Sequence, residues 1–530
     1  MKSMVYKRLA ALALGTALTL SAGLPAASAA DKISTVVNVQ QIFSSLDPAK
    51  VTDYTGYMAV VNMYDGLTTV SPSGEIVPHL AKSWDVSGDG LTYTFHLRDD
   101  AKFLDGTPVK AADMVWSIQR LLGINKGPSN LITGVLKPEN VTAPDEKTLV
   151  LKIDRQFSPF LAATPLMMAL NKTLITANAK ADDKWGEAYV GEHSAGSGPY
   201  KLVSYNRSAD MVIARNADYF LGWTKGTPVD EVRFVQTSDD ATVKALAEKG
   251  ELGLSSHGLG NDTYEAIGKM ANYKLIQTRT SGGFVIKLNT KVYPTDDVHV
   301  RRAIAYATDY KTIQEIIYPG TDMQGPLSTA FKDAHNGDIK PGTFDLEKAK
   351  EELAKSKYAG QKITLVNSYV ASLAFEAEVA LLLQANLEQI GITLDIKPEP
   401  WNRIVELSSK PDTTPASTQV NISPTYPSPD SMFYNQYHSK ASGTWMSMEW
   451  LQNPEIDALI DKTRGTTDVA EQNAVYKDLQ AKIADLQPDV WAVAPNRRYA
   501  ANKCLQGYQF IPMQSWDLNF ANFTWDCKAK

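Results

Sequence analysis

The sequence predicts an α/β fold in more than one domain, and three observations carry that expectation. Residues 76–122 read as a β-hairpin followed by an amphipathic helix. Residues 363–396 read as a strand, a helix and a second strand. The chain has 530 residues, more than one hydrophobic core usually supports, so two or three domains are expected.

In the first module, Trp84 and Val86 alternate with polar neighbours. Ser87-Gly88-Asp89-Gly90 supplies small residues that tolerate positive φ, and Leu91, Tyr93, Phe95 and Leu97 alternate again. This pattern is a hairpin with one buried face. Asp105-Gly106 marks a second turn. From about Ala111, the residues Met114, Val115, Ile118, Leu121 and Leu122 recur on one helical face. Asp113 lies in the first turn, where the helix dipole favours an anion.

Ahead of the module, Lys2, Lys7 and Arg8 precede the apolar run Leu9 to Leu24, and Ala27-Ser28-Ala29 follows. This predicts a secretory signal peptide over residues 1–29, too short to serve as a spanning helix. No Cys lies near the cleavage site, so no lipid anchor is expected. Cleavage removes three positive charges and no acid, taking a formal charge of −6 to about −9. An acidic exported protein is a poor nucleic-acid binder. Cys504 and Cys527 are the only cysteines, and in an exported protein two such residues most simply pair. Their loop would contribute roughly 3 kcal/mol through chain entropy.

The remaining elements follow in order. Ile33 to Val39 reads as a strand, 51–56 as a loop, and Tyr57 to Tyr64 as the start of a helix. Thr148 to Ile153 is a strand. Gly196-Ser197-Gly198-Pro199-Tyr200 is a tight turn into the strand Lys201 to Tyr205; it lacks the Lys-Ser/Thr and the helix of a phosphate loop. Asp239 to Lys249 is a helix stopped by Gly250, and Phe284 to Asn289 a strand. Asp296 or Asp297 caps a helix bearing Val300, Ala303, Ile304 and Ala307, and Asp345 caps another. Ile363 to Val366, the helix Phe375 to Ile390 and the strand Ile392 to Ile396 form the β-α-β unit. Pro411 to Pro429 is rich in Pro, Ser and Thr; the aromatics just after it favour an ordered, aromatic-lined loop. Gln472 to Leu486 is a helix and Val490 to Ala494 a strand.

Catalytic signatures are missing. There is no G-x-S-x-G elbow, no H-E-x-x-H and no C-x-x-C, and the seven histidines are widely separated. No enzyme, cofactor or metal site is expected. A secreted hydrolase is the disfavoured alternative. Folding could still gather two histidines, so a nickel chelate stays open as a ligand.

The hairpin module carries a more specific message in its letters. P-x-L-A-x-S-W, D-G-x-T-Y-x-F-x-L-R and K-F-x-D-G-x-P-V-x-A-x-D follow one another from Pro78 to Asp113. Further along stand L-D-P at 46–48, G-S-G-P-Y-K-L at 196–202, R-N-A-D-Y-F at 215–220 and V-R-R-A-I-A-Y-A at 300–307. Together they resemble the dipeptide/oligopeptide/nickel-binding proteins, solute-binding family 5, the extracytoplasmic receptors of ABC importers. Lys110 departs from the pattern, standing where the family often has a capping Thr.

The resemblance implies a two-lobe periplasmic-binding-protein fold with a hinge and an extra inserted domain. Carried onto this chain, lobe one comprises 31–75, 199–285 and 497–530, the smaller inserted domain 76–198, and lobe two 286–496. It implies a periplasmic monomer that captures a peptide-sized solute and presents it to the permease subunits of the inner membrane. Ligand contacts are implied at Thr52, Asp53 and Tyr54, at Asn421, Ile422, Ser423 and Thr425, and at Trp401, for which the alternative is a core Trp at a strand end. Peptide receptors of this kind hold the α-ammonium with an Asp in A-D-Y-x-D-P. Here Thr425 takes that place and Ser428 the second acid's, with Asp53 or Asp430 as the acids that could compensate from nearby in the fold. A buried ammonium without a carboxylate is costly. The expectation is therefore recognition that does not depend on a free α-amino group, with an opine- or oligosaccharide-type solute as rival to a peptide.

Overall fold

One strand, Asp489–Asn502, belongs to two sheets at once. Its first half pairs antiparallel with Gly283–Leu288, where Lys287 faces Asp489 and Phe284 faces Val493. Its second half pairs with Tyr273–Arg279, from Arg279 opposite Asn496 to Tyr273 opposite Asn502. The chain therefore passes from one sheet to the other twice side by side, at residues 280–282 and at 494–496. On one side of the crossing the strand order is Ile392–Glu399, Ile363–Val370, Ser417–Ile422, Gly283–Leu288, then the shared strand. On the other side the shared strand is followed by Leu252–Leu254, Ser34–Val39, Glu231–Gln236, Asp210–Arg215 and Tyr200–Asn206. A separate four-stranded sheet holds Ala81–Val86, Thr92–Leu97, Thr148–Ile153 and Leu136–Thr142 in that order. This is a mixed α/β, two-lobed molecule with an extra sheet domain. It is a computed structural model that describes residues 32–528 apart from 42, 44, 224, 225 and 514. The signal-peptide segment 1–29 lies outside the described residues.

Patterning accounts for most elements. Tyr93, Phe95 and Leu97 are buried on one face of the hairpin, while Val86 is exposed. The following helix, Ala111–Ile124, buries Met114, Ile118 and Leu121. Lys110 supplies no side-chain cap; instead Asp113 Oδ2 accepts the Lys110 backbone N–H at 3.1 Å. In the β-α-β unit, Ile363–Val370 and Ile392–Glu399 run parallel, and the helix Ala374–Glu388 between them buries Phe375, Val379, Leu383 and Leu387. Asp297, Asp345 and Asp239 each cap their helix with a side-chain oxygen. Gly198 is required by contact: a Cβ there would stand 2.3 Å from Met63 C, so the turn lies directly on the helix Tyr54–Met63.

Four expectations need correction. The helix at Tyr54–Met63 starts three residues early, because Asp53 caps it by accepting the Gly56 N–H at 2.9 Å. The Pro/Ser/Thr tract is not one loop: Ser417–Ile422 is an almost fully buried strand between Gly283–Leu288 and Ile363–Val370. Its Thr418, Gln419 and Asn421 hid it from a hydrophobic pattern. The strand expected to end at Ala494 continues to Asn502, since its second half takes a new partner. Trp401 opens the helix Trp401–Leu407 after Pro400 and does not end a strand.

Two hydrophobic cores dominate. One joins the sheet of Ser34–Val39 to the separate four-stranded sheet without a break, through residues such as Val37, Tyr57, Phe95 and Leu149. The other fills the lobe around Phe284, Leu365, Leu383 and Val493. A buried ion pair ties the first together. Arg120, on the helix Ala111–Ile124, donates to both oxygens of Asp47 at 2.7 and 2.6 Å and through Nε to Trp185 O at 2.8 Å. Both side chains are fully buried. The second core contains Lys287, whose Nζ lies 3.0 Å from Glu449 and 3.6 Å from Asp489 and donates to Gln436 at 2.8 Å. Cys504 and Cys527 form a disulfide across 23 residues.

A candidate ligand cleft between the lobes

A cleft of about 1110 Å³, its mouth included, lies where the two sheets part company. The first lobe supplies the end of the strand Ser34–Val39, the start of the helix Tyr54–Met63 and the loop 255–257. That loop is held by side chains of the neighbouring strand: Asn38 Oδ1 accepts the Ser256 N–H at 3.1 Å, and Gln40 donates to Gly258 O at 2.7 Å. The second lobe supplies Val370, Leu373 and Glu376 at the strand–helix turn, then Trp401, Asn421, Ile422, Ser423 and Trp445. The floor is the crossing itself, with Thr280, Gly283, Pro495 and Arg497.

The structure brings six of the eight expected contact residues to this cleft: Asp53, Tyr54, Trp401, Asn421, Ile422 and Ser423. Thr52 and Thr425 line a smaller neighbouring pocket with Asn435, and Trp445 borders both spaces. Thr425 is occupied locally. Its N–H donates to Ser431 Oγ at 2.9 Å and its hydroxyl accepts from Asn435 at 3.3 Å. Asp430 does not compensate; it is buried, accepts from the Tyr426 hydroxyl and faces Arg464 at 3.4 Å.

The composition of the cleft explains what it can hold. Trp401 meets Trp445 edge-on, ring centroids 5.0 Å apart, and with Tyr54 and Tyr318 gives wide apolar surface with polar tips. Arg497 lies over the Tyr54 ring at 5.0 Å and donates to Asp517 Oδ2 at 3.1 Å. Tyr54 hydroxyl meets Tyr499 hydroxyl at 2.7 Å, and Tyr508 donates to Asp517 at 2.9 Å. Burial works against the guanidinium charge, but the surrounding phenols and Asp517 more than offset it and keep Arg497 protonated. His257, packed against Tyr54 at 4.6 Å, is pushed down to about 3 by burial and then by Arg497, so it is neutral at physiological pH. Among the described residues no three His, Cys, Asp or Glu side chains converge to hold a metal.

Sequence reasoning missed Arg497, Glu376, Trp445 and Tyr318. Arg497 lies in the second half of a strand whose length was underestimated, and the remaining three carry no local signal beyond their residue type. The chain and its fold have counterparts among known proteins. The chain is 27% identical over 512 residues to the probable D,D-dipeptide-binding periplasmic protein DdpA of Escherichia coli strain K12, covering 94% of this chain and 95% of that one. Its fold matches DppA of Helicobacter pylori in complex with the peptide STSA, with TM-score 0.83, 23% identity, and 93% and 99% of the two chains covered. It also matches AgaA of A. tumefacien R10 in complex with agropinic acid, with TM-score 0.80, 24% identity, and 94% and 99% covered. No helix among the described residues is long and apolar enough to cross a membrane. Residues 75–444 match the family described as bacterial extracellular solute-binding proteins, family 5 Middle, and with two lobes meeting around an aromatic cleft the chain belongs to that family.

Proposed function

We propose that the protein is a periplasmic receptor, not an enzyme, which closes over one peptide-sized organic solute and delivers it to an ABC permease. The observation that carries this is the position of the cleft. Its floor is formed by two neighbouring strand crossings, 280–282 and 494–496, and its walls come from both lobes. Two adjacent crossings let the lobes rotate about one line while each sheet stays intact, and hinge closure of this kind gives the permease a distinct shape to read. The boundaries proposed above put this hinge at the joins near 285 and 496. The insert at 76–198 has its own sheet, yet shares its core with lobe one, so it should travel with that lobe.

Contacts between the insert and lobe two support a closed state. Ser158 N–H donates to Arg464 O at 2.9 Å, Ser158 Oγ to Thr463 O at 3.2 Å, and Gln472 Nε2 to Ser158 Oγ at 2.7 Å. Small-angle scattering tests the reading: the radius of gyration should fall when solute is added, and an unchanged radius with bound solute argues against closure. DdpA is described as probably D,D-dipeptide-binding, DppA was solved with the peptide STSA and AgaA with agropinic acid, which supports a peptide first and an opine-type solute second.

A further inference from the structure

Glu376 is a carboxyl without a complete set of partners. It sits in the first turn of the helix Ala374–Glu388, on the cleft wall beside Leu373, and the residue is fully buried. Oε2 accepts the Val370 N–H at 2.7 Å. Oε1 is buried and has no hydrogen-bond partner, and none of the ion pairs among the described residues involves this residue.

A structural tether from the helix to Val370 needs one acceptor, which a glutamine or a serine could supply. An acid costs more. Whether ionised or protonated, its second oxygen stands desolvated and unmatched by any protein group, and buried polar atoms are rarely left so. Burial holds the carboxyl well above its ordinary range. The cost is recovered when a positively charged N–H meets the oxygen, because charge-assisted hydrogen bonds are the strongest available in such a site. Its neighbours on that wall, Val370, Leu373 and Trp401, are apolar or aromatic, and Asn421 and Ser423 carry no charge. The cleft's cation, Arg497, is matched by Asp517.

We infer that Glu376 is the cleft's acceptor for a cationic nitrogen of the solute, an ammonium or guanidinium group. This rests on the solute-receptor reading above. It relocates the acid that the family pattern has where Thr425 stands, off the cleft, and it reverses the sequence-based expectation that recognition does not depend on a free amine. Recognition of a charged nitrogen then falls to the lobe-two helix.

The test uses Glu376→Gln, whose amide oxygen can still accept from Val370. Isothermal titration compares D-alanyl-D-alanine and Ser-Thr-Ser-Ala, each free and N-acetylated, on wild type and variant, with urea unfolding as the fold control. The free-amine forms should lose about tenfold to a hundredfold in affinity on the variant while the acetylated forms are unmoved. Equal losses for both forms, or none, overturn the inference. If no probe binds wild type, the peptide reading fails separately, and native mass spectrometry of solutes retained by each protein decides Glu376. A basic solute kept by wild type and lost from the variant supports its role. A retained solute without a basic nitrogen, or no basic solute retained by wild type, overturns it.

Discussion

Arg120→Met should unfold the protein several kcal/mol more easily while Asp47→Leu/Arg120→Met repairs much of the damage. The wild-type pair is fully buried and bidentate. Removing one partner leaves an uncompensated charge in the core, which costs about 3–5 kcal/mol. Each partner has one further bond: Arg120 to Trp185 O at 2.8 Å, and Asp47 from the Ala49 N–H at 3.0 Å. Replacing both partners forfeits those two bonds, each costing roughly 1–3 kcal/mol when its mate stays buried, but leaves no bare charge. The double variant should therefore lose less than the two single losses added together, by about 4 kcal/mol or more. Urea unfolding followed by tryptophan fluorescence gives the four free energies, provided the transition stays single. The same pair fixes the segment 47–54, which brings Asp53 and Tyr54 to the cleft, so Arg120→Met should also weaken solute binding. A single-variant loss under about 1 kcal/mol, or additive losses, would refute the reasoning.

Trp401→Ala should weaken solute binding by about 2 kcal/mol, roughly 30-fold, with little change in melting temperature; a collapsed melt with unchanged affinity in the folded fraction would make it a core residue. Thiol titration in denaturant without reductant should find no reactive thiol, and Cys504→Ser/Cys527→Ser should cost roughly 3 kcal/mol. The pH dependence should carry the mark of Glu449. Burial, against the pull of Lys287, pushes its carboxyl from the ordinary 4.5 up to about 8. The folded state thus keeps a proton that the unfolded chain releases. The stability this contributes is complete below about 4.5 and fades as pH rises to about 8. Urea midpoints across that range should fall with pH in wild type and stay flatter in Glu449→Gln; parallel curves would assign the slope elsewhere.

Much of the fold was legible because it rests on local periodicity. The hairpin at Ala81–Leu97, the helix from Ala111 and the β-α-β unit all follow from apolar spacing and turn residues. The strand Ser417–Ile422 was not, because it lies in the sheet's interior yet carries polar side chains there, of which Gln419 donates to Asn367 at 2.9 Å. Nor was the second half of Asp489–Asn502, where N-R-R interrupts the apolar run and the arginines find partners from distant segments. In the cleft, Tyr54 and Asn421 came from the family resemblance. Glu376 was invisible for a physical reason: an acid in a helix's first turn is what the helix dipole favours, so only the unmatched oxygen separates it from an ordinary one.

The shared strand also sets the order in which the protein can assemble. It lies at the junction of both sheets, yet it is made from residues 489–502. Until those residues have left the ribosome, neither sheet has its common member, and the partners Gly283–Leu288 and Tyr273–Arg279 each wait on a segment some two hundred residues away. Closing loops that long is slow. A nascent chain of this design therefore stays open through most of its synthesis, the state in which a polypeptide can be threaded through a narrow pore, and commits to its shape only when the last portion arrives.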